Sequence, residues 1–398
     1  MSTGSVARPV ARALGAASTR SASLASTSSG SLAPALPAPR PALRAHRVDP
    51  CACSATHPRH YSSYPSEKPP STSAAPPRKK RTILDLQALK RKNVPITMLT
   101  AHDFPSARFV ESAAHAPLLP VDAADSSSTT AATAPAYPRG VDICLVGDSL
   151  AMVACGYTST SELTLDEMLY HCRSVARGCT TSLLLADLPF GTYYASVDDG
   201  VRAAVRLVQE GKMDAVKIEG GEEIVPLVRR LTDVGIPVMA HIGLTPQRQA
   251  ALSGYRVQGK TVSSALKVWH DAQALQDAGA FALLVEAVPS RLAAWMTERL
   301  RVPTVGIGAG ARASGQVLVQ LDMLGVDSDL GAGGKGPRFL KRFADVGEQA
   351  RRAVRDYVEE VRMGTFPVEG DHTYPMSDEA FEGFLARLDG EGTVPPKA

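Results

Sequence analysis

Short apolar runs alternating with helical stretches predict an α/β protein built as a closed (β/α)8 barrel. Three observations carry the prediction. Apolar runs bounded by turn residues read as strands of a buried parallel sheet. Eight such units occupy roughly 250–290 residues, the usual size of a closed barrel. A polar residue stands at or just beyond the downstream end of several runs, where a barrel gathers its site. An open doubly wound sheet is the competing fold, but it would collect its site at a switch point rather than from five strands.

The first eighty of the 398 residues stand apart. Met1 to Val48 contains no acidic residue, while Arg8, Arg12, Arg20, Arg40, Arg44 and Arg47 are scattered among Ser, Ala, Thr and Pro. That composition predicts an organelle transit peptide and linker over 1–80, mitochondrial before plastid; a functionless tail too polar to fold is the alternative. The whole chain carries +3 and residues 1–80 carry +9, so the remainder carries −6. A mildly acidic body argues against nucleic-acid binding. Arg78-Lys79-Lys80-Arg81 reads as a solvated junction rather than a nuclear signal. None of the six cysteines forms a C-x-x-C pair, and no His cluster completes a zinc site. No run of about 18 apolar residues is present to span a membrane.

The body, 81–367, is read in order. A short helix over Ile83–Lys92 precedes the first strand, Ile96–Thr100. Six further strands end near Asp148, Asp187, Lys217, His241, Glu286 and Gly306, and a weaker eighth covers Val317–Leu321. Thr164-Leu165-Asp166-Glu167 fits a capping box, followed by an apolar stripe of Leu165, Met168, Leu169, Cys172 and Val175, with Gly178 to end the helix. Thr245-Pro246 predicts another helix start, with Thr as cap and Pro in the first turn. Residues 115–139 are too polar and aperiodic for core and read as a surface insertion. Residues 368–398 form a tail with one amphipathic helix over Asp378–Leu388.

The strand-end residues suggest a chemistry. Asp148 and Asp187 on neighbouring strands would repel each other, and a divalent cation removes that repulsion. An oxygen-only site with waters favours Mg2+; each carboxylate could instead cap a helix. Lys217 and Glu219 alternate along one strand and therefore face the same way. Lys217 suits a substrate carboxylate or enolate oxygen, and Glu219 a metal-bound water, with a structural ion pair as the alternative. Glu286 lies in an apolar stretch where desolvation would tune a general base. His241 faces a ligand or is a satisfied core histidine; His102 is equally open, and His171 reads as structural. Gly306-Ile307-Gly308-Ala309-Gly310 reads as a tight loop that keeps the mouth open.

Several strings are specific. Leu145–Leu150, Leu184–Phe190, Val216–Gly221, His241–Gln247, Gly254–Gly259 and Gly306–Gly310 resemble ketopantoate hydroxymethyltransferase (3-methyl-2-oxobutanoate hydroxymethyltransferase), in the correct order over about Ile83 to Pro367. The leader, the insertion and the tail depart from the compact bacterial pattern. The resemblance implies a barrel of the phosphoenolpyruvate/pyruvate type, Mg2+, and a homo-oligomer, commonly a decamer. It implies hydroxymethyl transfer from 5,10-methylenetetrahydrofolate to a small 2-oxo acid, with no nucleic-acid or membrane partner. Asp148 and Asp187 match metal ligands that also meet the substrate, and Glu219 a metal-linked carboxylate. Ser149, Lys217 and His241 fall at substrate-binding positions, and Glu286 matches the proton acceptor. A carbon–carbon lyase or phosphonomutase acting on 2-oxo acids is the rival enzyme, and would need an acid such as Cys155 or Cys179 on a mobile loop. A non-enzymatic scaffold is the rival of another class.

Overall fold

The computed structural model describes residues 78–114, 139–251, 254–326 and 336–390. The leader up to residue 77 and the insertion over 115–138 lie outside the described residues.

Eight parallel strands close on themselves in sequence order: β1 (Ile96–Thr100), β2 (Ile143–Val146), β3 (Leu183–Asp187), β4 (Ala215–Glu219), β5 (Val238–Gly243), β6 (Ala282–Glu286), β7 (Thr304–Ile307) and β8 (Gly315–Leu318). β1 pairs with both β2 and β8, which closes the ring and leaves no sheet edge. Around it run α1 (Ile83–Arg91), α2 (Phe104–Ser112), α3 (Leu150–Val153), α4 (Leu165–Gly178), α5 (Val197–Gln209), α6 (Val225–Asp233), α7 (Val262–Asp277), α8 (Ser290–Arg299) and α9 (Gln320–Leu324). Two later helices follow, α10 (Val346–Met363) and α11 (Asp378–Gly390). No described helix is long and apolar enough to cross a membrane.

Local chemistry starts the helices where the sequence provides caps. Thr82, Asp103, Thr164 and Thr261 each accept a first-turn amide and complete a capping box. Each such cap contributes about 1 kcal/mol. The stripe predicted on α4 is buried at Met168, Leu169, Cys172 and Val175. It packs in the layer between sheet and helices with residues such as Val146, Ala186 and Leu207.

The period-two alternation of the strands sorts the interior. Ile143 and Leu145, Leu183 and Leu185, Met239, Leu284 and Val305 form one apolar cluster with Leu86 and Leu89 of α1. Continuing the same parity along β3, β4, β5 and β6 reaches Asp187, Lys217, Glu219, His241 and Glu286. The interior is thus oily towards the N-terminal ends of the strands, where α1 packs, and charged at the C-terminal mouth.

Three expectations are corrected, the first being the solvated junction Arg78-Lys79-Lys80-Arg81: the side chains of Arg78 and Arg81 are largely buried and each meets Asp142 Oδ1 at 2.9 Å. The eighth strand covers Gly315–Leu318, because Gln320 N–H turns to Thr100 Oγ1 (2.9 Å) and opens α9 instead. Thr245-Pro246 begins only a single 3-10 turn, Pro246–Arg248, and the Thr245 side chain does not cap it. The next residue, Gln247, is drawn into the barrel mouth, which ends the helical path. α10 was not foreseen; it leaves Val354, Tyr357, Val358 and Val361 exposed.

Candidate active site

A cavity of about 610 Å3 opens at the C-terminal mouth of the barrel. It is lined by Asp148, Ser149, Asp187, Lys217, Glu219, His241 and Glu286, so every predicted site residue reaches one space. Neither Cys155 nor Cys179 lines it.

The charged groups form a chain of contacts across neighbouring strands. Lys217 Nζ lies 3.0 Å from Asp187 Oδ1 and 3.8 Å from Glu219 Oε1. His241 Nδ1 is 3.3 Å from Glu219 Oε1, and its Nε2 is 3.2 Å from Glu286 Oε2. The sequence setting of Glu286 suggested a wholly apolar pocket. Val285 and Val288 are indeed buried, but the carboxylate itself meets His241 and keeps 14% of its side chain exposed.

Asp148 stands one residue past the inward parity of β2, where Gly147 takes the inward position. Its amide donates to Asp187 Oδ2 (2.9 Å) and ties the two acidic strand ends together. Its carboxylate accepts from Gln247 Nε2 (2.8 Å) and caps no helix. Ser149 precedes α3 without a capping bond, leaving its hydroxyl at the cavity.

Burial and opposing charges set the protonation states. Burial, with the charges of Asp187 and Glu219, holds the Asp148 carboxyl well above its ordinary value. Burial also pushes Glu219 up, but His241 and Lys217 outweigh it and leave Glu219 below the usual carboxylate range. Burial depresses Lys217, yet Asp187, Glu219 and Asp148 outweigh it and raise the amine. His241 is lowered by burial and by Lys217, then lifted by Glu219 and Glu286 to about 9. Lys217 Nζ also lies 3.1 Å from His241 Nδ1, so the amine and the imidazole share one contact among the carboxylates in which only one of them donates.

Gln247 is the residue that strand-end reasoning missed. Its Nε2 also donates to the Leu188 carbonyl (2.9 Å), while its Oε1 accepts from Tyr193 (2.7 Å) and Tyr194 (3.1 Å). Its backbone N–H donates to Glu219 Oε2 (3.0 Å), so one residue braces Asp148 and Glu219 together. The available signal was a polar side chain six residues past His241, just beyond the end of β5.

Two other details shape the mouth. Ala287, next to Glu286, has φ of 49°, a left-handed conformation that costs a residue with a Cβ about 1–2 kcal/mol. It is held by Ala287 N–H donating to Ile307 O (2.9 Å) and Gln258 N–H donating to Ala287 O (2.9 Å). Gly308 and Gly310 also have positive φ, and a Cβ at Gly308 would meet Phe339 at 2.8 Å, in keeping with a tight loop at the mouth. His102 and Asp103 lie beside a separate, smaller cavity, and His171 Nδ1 contacts the His102 carbonyl at 2.5 Å.

The acidic corner suits a hard cation. Asp187 Oδ1 and Glu219 Oε1 are buried and accept no well-aligned hydrogen bond, meeting only Lys217 and His241. Burial first, and then the charges of Asp187 and Glu219, raise the Asp148 carboxyl; a divalent ion would relieve the second of these. Among the described residues no three His, Cys, Asp or Glu side chains form a ready-made ligand set. An ion here would keep several waters, as Mg2+ commonly does.

The family profile described as ketopantoate hydroxymethyltransferase matches residues 121–369. The chain belongs to the ketopantoate hydroxymethyltransferase family. It is 45% identical to the 3-methyl-2-oxobutanoate hydroxymethyltransferase of Emericella nidulans over 340 residues, 85% of this chain and 87% of that one. It is 41% identical to 3-methyl-2-oxobutanoate hydroxymethyltransferase 1, mitochondrial, of Arabidopsis thaliana, over 78% of this chain and 83% of that one. Among solved structures, phosphonopyruvate hydrolase with oxalate and Mg2+ aligns at 14% identity and a TM-score of 0.44, covering 78% of this chain and 97% of that one. At that distance the likeness says nothing about chemistry.

Proposed function

We propose that this chain transfers a hydroxymethyl unit from 5,10-methylenetetrahydrofolate to 3-methyl-2-oxobutanoate, consuming water and releasing 2-dehydropantoate and tetrahydrofolate, an early step towards pantothenate. The observation that carries the reading is the gathering of Asp148, Asp187, Lys217, Glu219, His241 and Glu286 on one cavity in a chain of this family.

The residues divide the work. Glu286, the most exposed carboxylate of the contact chain, removes the proton from the carbon beside the substrate ketone. His241, held at 3.2 Å, positions that carboxylate. Lys217 offers a fixed positive charge to the substrate carboxylate and to the oxygen that becomes negative on enolisation. Ser149 adds a hydroxyl donor at the cavity wall. Asp148 and Asp187 would hold Mg2+, with Glu219 on one of its waters. The ion, when bound, acts as a Lewis acid towards the 2-oxo acid. The methylene carbon of the folate loses both its C–N bonds. Water supplies the hydroxyl oxygen and the two protons that convert the nitrogens to those of tetrahydrofolate. The enolate carbon bonds to that methylene carbon, and the proton held by Glu286 ends on the new hydroxyl.

Supplying substrate in deuterated water gives the test. Wild-type protein exchanges the proton beside the ketone and consumes methylenetetrahydrofolate; folded Glu286→Gln does neither. Exchange that survives in Glu286→Gln removes the assigned base, and absence of folate-dependent turnover in the wild type defeats the transfer reading.

The arginine-rich leader, acid-free from Met1 to Val48, and the mitochondrial name of the Arabidopsis relative support placement in the mitochondrion. A fluorescent protein fused behind residues 1–80 and imaged in cells tests it. The exposed apolar side chains of α10 support a homo-oligomer, decameric as the sequence resemblance implies, and sedimentation velocity reads its size.

A further inference from the structure

One carboxylate on the cavity wall has no part in the chemistry above. Asp322, on α9, lines the same space as Asp148 and Glu286. Val319, Pro337, Phe339 and Leu340 line the cavity too, from the same stretch of chain. Among the described residues no hydrogen bond or ion pair reaches the Asp322 carboxylate; Arg342 acts on it only through its charge. Its position in the first turn of α9 would ordinarily invite helix amides. α9 spans five residues and donates none to it, and burial pushes the carboxyl up instead.

The backbone around Asp322 is pinned. Gln320 N–H donates to Thr100 Oγ1 (2.9 Å) and Gln320 Nε2 to the Ser106 carbonyl (3.2 Å). Phe343 N–H donates to the Met323 carbonyl (2.7 Å). An unpaired carboxylate held in place on a mostly apolar wall is costly unless a ligand supplies donors.

The 2-oxo acid cannot be that ligand, because it is itself an anion and is drawn to Lys217. The other substrate can. The pterin head of a reduced folate is flat, and one edge carries a 2-amino group beside a ring N–H. Two parallel donors fit one carboxylate in bidentate fashion, the geometry that makes such pairing strong and selective. Its faces suit apolar and aromatic contact, which Val319, Phe339 and Leu340 offer.

We propose that Asp322, with Val319, Phe339 and Leu340, forms the pterin subsite, its carboxylate accepting from the 2-amino and ring N–H edge. The inference rests on the hydroxymethyl-transfer reading and names where its second substrate docks.

Calorimetric titration of the full chain, with Mg2+ and 2-oxo acid present, tests it. The probes are tetrahydrofolate and its 2-desamino-2-methyl analogue. Wild type favours tetrahydrofolate by about tenfold or more, the loss expected when a buried acceptor loses its donor. Asp322→Asn shrinks that preference to less than about threefold. In kinetics, the KM for methylenetetrahydrofolate rises at least about tenfold while that for the 2-oxo acid moves less than about twofold. Equal discrimination by the two proteins overturns the subsite. So does a wild type that binds both ligands equally, a result that needs no variant to fold. A wild type that neither binds tetrahydrofolate nor exchanges deuterium into the 2-oxo acid refutes the transfer reading instead.

Discussion

Replacing Gln247 with Leu keeps the approximate volume of the side chain and deletes its amide. Four contacts go: the bonds to Asp148 Oδ2 (2.8 Å) and Leu188 O (2.9 Å), and those received from Tyr193 (2.7 Å) and Tyr194 (3.1 Å). The backbone bond to Glu219 survives, because it does not use the side chain. Tyr193 retains the Glu219 carbonyl at 3.1 Å, and Tyr194 is exposed enough for water to replace its partner. Asp148 Oδ2 and the Leu188 carbonyl lose a buried donor, at about 1–3 kcal/mol each, so the variant is expected to lose about 2–6 kcal/mol of stability. Bracing groups behind metal-facing carboxylates commonly change metal affinity or activity by about 10–100-fold, and turnover should fall within that range. Urea unfolding followed by the fluorescence of Trp269 and Trp295, a contacting pair on α7 and α8, reads the stability. A loss below about 1 kcal/mol with normal turnover would refute the bracing role.

Other expectations follow from the same contacts. Lys217→Met leaves Asp187 and Glu219 buried without their shared cation and should cost about 3–5 kcal/mol in thermal or urea unfolding; unchanged stability would mean that the carboxylates are neutral there. Stripping divalent ions with a chelator should abolish turnover, and Mg2+ should restore it, as read by folate consumption; full velocity without the ion removes Asp148 and Asp187 from that role. Glu111 accepts from the amides of Thr180 and Thr181 at 2.8 and 3.1 Å. Burial pushes Glu111 up, but these bonds win and hold its folded value below the ordinary 4.5. Its stabilisation is therefore present above pH 4.5 and is lost as pH falls through the lower folded value. Unfolding curves of wild type and Glu111→Gln should differ at neutral pH and converge in acid; a gap that widens in acid contradicts the assignment.

How much of this was legible before folding depended on which rule placed each residue. Strand parity alone puts Lys217 and Glu219 on one side, and a strand's downstream end puts Asp187, His241 and Glu286 at one mouth. Those placements need only local periodicity and the parallel topology. Asp148 lies off the inward parity and was reachable only as a residue just past a strand. Gln247 and Asp322 were not legible, because a 3-10 turn and a five-residue helix bring them to the cavity. Such turns are set by tertiary bonds, Gln247 N–H to Glu219 and Gln320 N–H to Thr100, which no local pattern announces. Thr245 shows the converse: a good cap in sequence goes unused once the following residues are pulled elsewhere.

The backbone at Ala287 has a practical consequence for anyone wishing to toughen this protein. A design guided by folding energy alone would choose glycine at 287, since that relieves about 1–2 kcal/mol of left-handed strain, less what the unfolded chain gains in freedom. Yet the hinge thereby loosened is the one that aims the neighbouring carboxylate, clipped on one side to Ile307 and on the other to Gln258. Ala287→Gly is therefore expected to trade catalytic aim against relief of strain, read by comparing turnover with the unfolding midpoint of the variant.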